Sequence, residues 1–217
     1  MSKAGRLDRY RVPPGNPEGE FADLEQSVLA NKRGITDLQT LQIAEEQALA
    51  RAYEQLLSEV RVDTPMYCEL IRHIHVTIFG TLFEWAGRWR TVQISKPGAI
   101  WPPPHYLDQA MQEFERSVLV PRLATSPMSD DLFVSAAAEI QGEFLAIHPF
   151  REGNARTIKL FTDLIAVRTG RPILRYESSD AGTQQYFEAA QSALLAKDYK
   201  LMAEVIRQAL RRTQETT

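Results

Sequence analysis

The stretch His148-Pro149-Phe150-Arg151-Glu152-Gly153-Asn154-Ala155-Arg156-Thr157-Ile158-Lys159 gathers an imidazole, a carboxylate and basic side chains around one glycine. An apolar helical pattern stops at His148-Pro149, because the residue before a proline is pushed out of the right-handed helical region. Helical spacing resumes near Asn154. A tight loop through Gly153 that opens onto a helix start aims unpaired backbone N–H groups at its own centre, which favours an anion, and phosphate is the natural candidate. Arg156 and Lys159, three apart, share a helix face and could hold outer phosphates. Glu152 is a hard oxygen ligand suited to Mg²⁺ bridging phosphate oxygens. His148 alone in this stretch has a side chain that titrates near neutral pH, as a general base requires. The chemistry indicated is phosphate transfer.

Helices must hold that loop. Thr36-Asp37-Leu38-Gln39 reads as a capping box, and Leu41, Ala44, Ala48, Ala52, Leu56 and Val60 follow along one helical face. Thr64-Pro65 has the cap-then-proline order of a helix start, with periodicity through Leu70, Ile74 and Ile78 to about Phe83 and a stop at Gly87. Further helices are predicted over about 107–120, from a cap at Ser129-Asp130-Asp131 to His148, from about Asn154 to Gly170, and over 183–195 and 199–212. Between Arg90 and Pro104 the pattern alternates instead: Thr91-Val92-Gln93-Ile94-Ser95, a turn at Lys96-Pro97-Gly98, then Ala99-Ile100-Trp101 before three prolines. This predicts a β-hairpin that packs on the helices and protrudes as a flap. Trp85, Trp89, Phe79 and Phe83 read as packing under it. The fold class is mostly α, a single helical domain with one hairpin.

The loop segment resembles the signature of Fic (filamentation induced by cAMP) proteins, the Fic/Doc family, whose pattern is His-Pro-Phe-x-Asp/Glu-Gly-Asn-Gly-Arg-x-x-Arg. It agrees at His148, Pro149, Phe150, Glu152, Gly153, Asn154 and Arg156. Asn31–Thr36, Ile74-His75, Leu82–Arg88 and Ile94-Ser95-Lys96 also look like Fic segments, and the similarity runs from about Ala22 to Arg211. The resemblance implies domain bounds of 22–211, with the flap at 91–102, the signature loop at 148–159, a flexible arm over 1–21 and a tail over 212–217. It implies transfer of AMP from Mg-ATP to a Tyr, Ser or Thr hydroxyl of a target protein. His148 would deprotonate that hydroxyl, Glu152 would coordinate Mg²⁺, and Asn154 would bind the α-phosphate. Gly153 and the N–H groups around Ala155 would form an anion hole, with Arg156 and Lys159 on the β- and γ-phosphates and Phe150 as a core anchor. Ile94, Ser95 and Lys96 would dock the target by strand addition, and Tyr186 or Phe187 would help enclose the adenine.

Two positions depart from the pattern. Ala155 replaces a glycine and Lys159 replaces the final arginine. If position 155 needs positive φ or close phosphate approach, the methyl costs about 1 kcal/mol or more; if it needs only a helical N–H, alanine is harmless. Lysine keeps the charge but loses the bidentate fork. The alternatives are therefore a Doc-like phosphotransferase, or a degenerate domain that binds nucleotide or a partner with little turnover. Many Fic proteins carry an inhibitory Ser/Thr-x-x-x-Glu-Gly/Asn helix. Here the nearest approach is Ser135 to Glu139, followed by Ile140. By resemblance to Fic toxin–antitoxin pairs, a small antitoxin carrying that helix is the expected partner, and the chain the toxin.

Composition narrows the alternatives from outside. The 217 residues accommodate one domain, and 25 Lys+Arg against 28 Asp+Glu leave no basic footprint for nucleic acid or an anionic membrane. A lone Cys68 excludes a disulfide framework and a thiolate metal cluster. His73 and His75 have no adjacent thiol or carboxylate cluster and do not read as a metal pair. Met1–Glu20 has no apolar signal core, and no apolar run approaches the roughly 20 residues of a membrane span. The expected location is the cytoplasm.

Overall fold

Helix α1 (Leu38–Glu59) begins where Asp37, in extended backbone, accepts the Thr40 N–H at 2.7 Å. The cap is thus one residue later than the expected Thr36 box, and its carboxylate also meets the positive end of the helix dipole. A computed structural model describes residues 15–96, 99–124 and 128–214 of the chain. Helix α2 (Cys68–Phe79) starts three residues after the expected Thr64-Pro65. Thr64 closes the preceding turn instead, its hydroxyl accepting the Arg61 N–H, while the Cys68 N–H is satisfied by the distant Glu115 carboxylate at 2.7 Å. A tertiary acceptor has replaced the local cap.

The chain then winds through turns to Gly87 and forms a hairpin of β1 (Ser95–Lys96) and β2 (Ala99–Ile100), paired antiparallel with Ser95 opposite Ile100 and Lys96 opposite Ala99. The ladder is shorter than the alternation suggested. Gln93 donates its side-chain amide to the carbonyls of Ile94 and Trp101, so a side chain occupies the positions where backbone pairing would continue. The alternation still governs burial: Val92, Ile94 and Trp101 make a small apolar cluster of their own. Pro97 and Gly98 of the expected turn lie outside the described residues.

The expected helix over 107–120 is α3 (Leu107–Phe114), one π-helical turn (Glu115–Leu119) and α4 (Val120–Leu123). Pro121 cannot donate to the helical ladder, and the widened turn before it absorbs the missing bond. Helices α5 (Asp130–Ile147, capped by Ser129) and α6 (Asn154–Arg168) form the centre, followed by α7 (Asp180–Ala196) and α8 (Lys200–Gln214). Helix α5 packs on α3, α6, α7 and α8, whereas α6 also meets α1 and α2. Phe133, Ile140, Phe144, Ile158, Phe161 and Leu164 are fully buried between them, each worth about 1.5–3 kcal/mol of apolar burial. The two most buried helices are joined by the segment 148–153, so the signature loop is anchored in the core at both ends.

Part of the expected flexible arm is fixed. Pro17–Gly19 forms a 3-10 turn, the Glu18 carboxylate is buried and accepts the Thr91 N–H, and Phe21 bridges Leu29. Among the described residues no helix is long and apolar enough to cross a membrane.

Candidate functional site

Helix α5 ends because His148 adopts φ 52° and ψ 59°, a left-handed backbone that is uncommon away from glycine and costs about 1–2 kcal/mol. Such strain persists only where the surroundings impose it. Here the buried Arg90 donates Nε–H to the His148 carbonyl at 2.9 Å, and its own N–H to the Pro149 carbonyl at 2.8 Å. The His148 Nδ1 lies 3.3 Å from the Leu145 carbonyl. Since a carbonyl only accepts, Nδ1 carries the hydrogen in the neutral ring and the lone pair belongs to Nε2. Trp101 lies against the imidazole, centroids 4.3 Å apart.

The rest of the loop is held carbonyl by carbonyl. Asn154 accepts the Phe150 N–H and donates to the Phe150 carbonyl, both at 2.9 Å. Phe150 is buried and stacks on His75 at 3.8 Å. His75 donates Nε2–H to the Glu152 carbonyl at 3.0 Å and accepts the Gly87 N–H on Nδ1, a pairing that fixes its tautomer. Burial pushes its pKa down to about 3, so it stays neutral. Arg151 donates to the Glu18 carbonyl. Gly153 has φ +79°, and a Cβ there would lie 2.2 Å from Phe79 Cε2. With the carbonyls tied outward, the first intrahelical bond of α6 is Thr157 N–H to Gly153 O at 3.0 Å. The N–H groups of Asn154, Ala155 and Arg156 precede it at the positive end of the helix.

Around that terminus stand Glu152, with its side chain 46% exposed, and Arg156, 3.6 Å from it. Arg156 also pairs with Glu45 of α1 at 2.9 Å and lies over the Phe79 ring at 4.7 Å. Glu45 is buried, which raises its pKa, while Arg156 lowers it. A carboxylate already holds the guanidinium that would meet phosphate. Among the described residues no three His, Cys, Asp or Glu side chains cluster to cage a metal. Glu152 as a single exposed carboxylate nonetheless fits Mg²⁺, which is commonly held by one or two carboxylates and substrate phosphates.

The structure therefore brings together His148, Glu152, Gly153, Asn154, Ala155 and Arg156, and it settles the backbone half of the question raised by Ala155. That residue lies in the first turn of α6 and is absent from the positive-φ positions, so its methyl carries no backbone strain. Lys159 points its ammonium at Tyr176 and Tyr186, 4.4 and 3.9 Å from their centroids, and burial lowers its pKa to about 8 against the attraction of Asp163. Tyr186 is a buried core residue whose hydroxyl donates to Gln141 at 2.7 Å, while Phe187 is exposed on α7. Phe79 packs under Gly153 and Trp89 against Phe150, so both support the loop and not the hairpin. On the flap, Ile94 turns its side chain into the Val92–Trp101 cluster, and Ser95 and Lys96 form β1.

Arg90, Glu45 and Trp101 were not singled out by residue type, and His75 was weighed only as half of a metal pair. Two left a trace: His75 interrupts the apolar face of Ile71, Ile74 and Ile78, and Glu45 interrupts that of Leu41, Ala44 and Ala48.

The chain shares its fold with known proteins. The sequence model of the Fic/DOC family matches residues 65–166. VbhT of Bartonella schoenbuchensis, a protein adenylyltransferase, is 29% identical over 77% of this chain; the match covers 36% of VbhT, so the chain spans about a third of that relative. The probable protein adenylyltransferase y4lH of Sinorhizobium fredii is 30% identical over 66% of this chain and 72% of its own length. In structure, the Fic domain of Bep8 from Bartonella sp. 1-1C superposes with a TM-score of 0.73 at 21% identity, covering 84% of this chain and 90% of that one. BepC of Bartonella tribocorum, solved with bound AMPPNP, gives 0.66 at 17% identity over 83% and 91%. With its signature loop closed by His75, Arg90 and Asn154 at the head of a buried helix, the chain belongs to the Fic/DOC family.

Proposed function

We propose that this chain is a protein adenylyltransferase that moves AMP from ATP to a hydroxyl of a target protein. The observation that carries the reading is that His148, its Nδ1 facing the Leu145 carbonyl, begins the short loop that leads into the N-terminus of α6. The names of VbhT and y4lH support it. In this reading the N–H groups of the first turn of α6 receive phosphate oxygens, and Arg156 exchanges Glu45 for phosphate. Glu152 would hold Mg²⁺, whose charge offsets that of the phosphates. His148 takes the hydroxyl proton on Nε2 as the acceptor oxygen bonds to the α-phosphorus. The bond to the bridging oxygen breaks, and pyrophosphate leaves with the electron pair. The edge of β1 offers backbone groups that fix an extended target segment in line.

The finer reading is a toxin restrained by a small partner that supplies the Ser/Thr-x-x-x-Glu-Gly/Asn helix, in a soluble cytoplasmic setting. The partner, and not the setting, is supported by the failure of every Ser and Thr in residues 1–217 to complete that pattern. A second reading, nucleotide binding with little turnover, is favoured by Lys159, whose ammonium faces tyrosines. One experiment separates these. The chain and His148→Ala are incubated with Mg²⁺, cell lysate and ATP labelled at the α- or γ-phosphate. His148-dependent label retained only from the α-position is expected. Label only from the γ-position would instead identify a phosphotransferase, and no His148-dependent label would favour binding without turnover.

A further inference from the structure

The guanidinium of Arg90 is buried, 2% exposed, and it reaches three separate parts of the chain. Nε donates to the His148 carbonyl at 2.9 Å, Nη1 to Val92 at 2.8 Å and Nη2 to Pro102 at 2.7 Å. Val92 lies just before β1 and Pro102 just after β2, so one side chain ties both stems of the flap to the residue that would act as base. A second link runs in parallel. Trp101, also on a flap stem, donates its indole N–H to the Leu145 carbonyl at 3.0 Å, the acceptor that His148 Nδ1 also faces, while its ring lies on the imidazole. A buried cation compensated mainly by carbonyl oxygens is costly unless every bond is well made, and only a planar fork reaches three diverging acceptors. Burial lowers the Arg90 pKa to about 10, against the attraction of Glu18, and it remains charged at neutral pH.

We propose that Arg90, assisted by Trp101, is a positioning residue that locks the flap stems to the left-handed backbone of His148. Seating a target segment on the flap edge and aiming Nε2 at its hydroxyl are then one event. The last clause rests on the adenylyl-transfer reading, whereas the lock itself does not.

The test uses the full chain with Arg90→Lys, which keeps the charge and loses the fork, and Trp101→Phe, which keeps a ring and loses the indole donor. Amide hydrogen exchange read by mass spectrometry needs no activity. In Arg90→Lys, residues 91–102 and 145–150 are expected to lose protection together, and Trp101→Phe to show the same joint loss more weakly. Loosening of the flap with 145–150 unchanged, or no change in either, overturns the lock. In the labelling assay the Arg90→Lys loss is expected in transfer, on the order of 100-fold, as for a misaimed base, with ATP affinity held within about twofold because Arg90 serves the flap side of the loop. Equal loss of ATP binding, or unimpaired transfer, contradicts the positioning role. If Trp101→Phe alone folds, the same joint loss of protection decides the question. If wild-type protein gives no His148-dependent label, the adenylyl-transfer reading fails while exchange still decides the lock.

Discussion

Replacing Gly153 with alanine separates two costs that the structure makes visible. The first is conformational: at φ +79° an L-residue loses about 1–2 kcal/mol relative to glycine. Gly34, exposed and at φ +64° with nothing near its missing Cβ, has that cost alone and is the control. The second is steric. The new methyl would lie 2.2 Å and 2.4 Å from Phe79 Cε2 and Cζ. Phe79 cannot retreat, because it is fully buried, packs on His75 at 4.8 Å and carries Arg156 over its ring. Overpacking of this kind costs about 1–3 kcal/mol. Gly153→Ala is therefore expected to lose about 2–5 kcal/mol in urea unfolding, against about 1–2 kcal/mol for Gly34→Ala. Calorimetric titration with ATP should show weakened binding, since relief of the clash moves the first turn of α6. Adding Phe79→Leu should return part of the stability, giving a favourable coupling in the double-mutant cycle. Equal costs at Gly153 and Gly34 with unchanged ATP affinity would refute the argument.

Ala155→Gly, at a helical position, is expected to lower stability by about 1 kcal/mol and leave transfer activity no higher, as unfolding and labelling assays will read. Glu45→Gln removes the carboxylate competing for Arg156 and should tighten ATP binding about fivefold by calorimetry, or about 1 kcal/mol; weaker binding would show that Glu45 preorganises the arginine. Lys159→Met should change ATP affinity by less than about threefold, whereas an ammonium on the outer phosphates would cost tenfold or more on removal. His75 has a folded pKa far below its unfolded value, so its contribution is present above about pH 6.5 and is lost as pH falls toward about 3. The stability difference between wild type and His75→Gln should shrink by about 2 kcal/mol from about pH 7.5 to about pH 5 in urea unfolding.

What the sequence revealed and what it concealed divide along the range of the interactions. The ends of α5 and α6 were legible because Ser129, the His148-Pro149 pair and Gly153 act on their own backbone. The start of α2 was not, since its first N–H is satisfied by Glu115, remote in sequence. The short ladder of the flap followed from Gln93 reaching across to Trp101, a bond that alternation does not encode. At the site, residue types located His148, Glu152, Gly153 and Arg156. Spacing placed Lys159 on the face of Arg156 but could not say what stands opposite, and Tyr176 and Tyr186 arrive there from beyond the helix. The side chains that close the loop, Arg90 and His75, act on carbonyls more than 50 residues away, where sequence spacing carries no signal.

The central claim is that the segment from His148 to Arg156 receives the α-phosphate of ATP. A crystal structure of His148→Ala with Mg²⁺ and a non-hydrolysable ATP analogue tests it most directly. The α-phosphate is expected at the N–H groups of the first turn of α6, on the His148 side, with Glu152 on the metal and Arg156 turned from Glu45 to the outer phosphates. A γ-phosphate in that place, or a nucleotide bound away from the loop, would contradict the account.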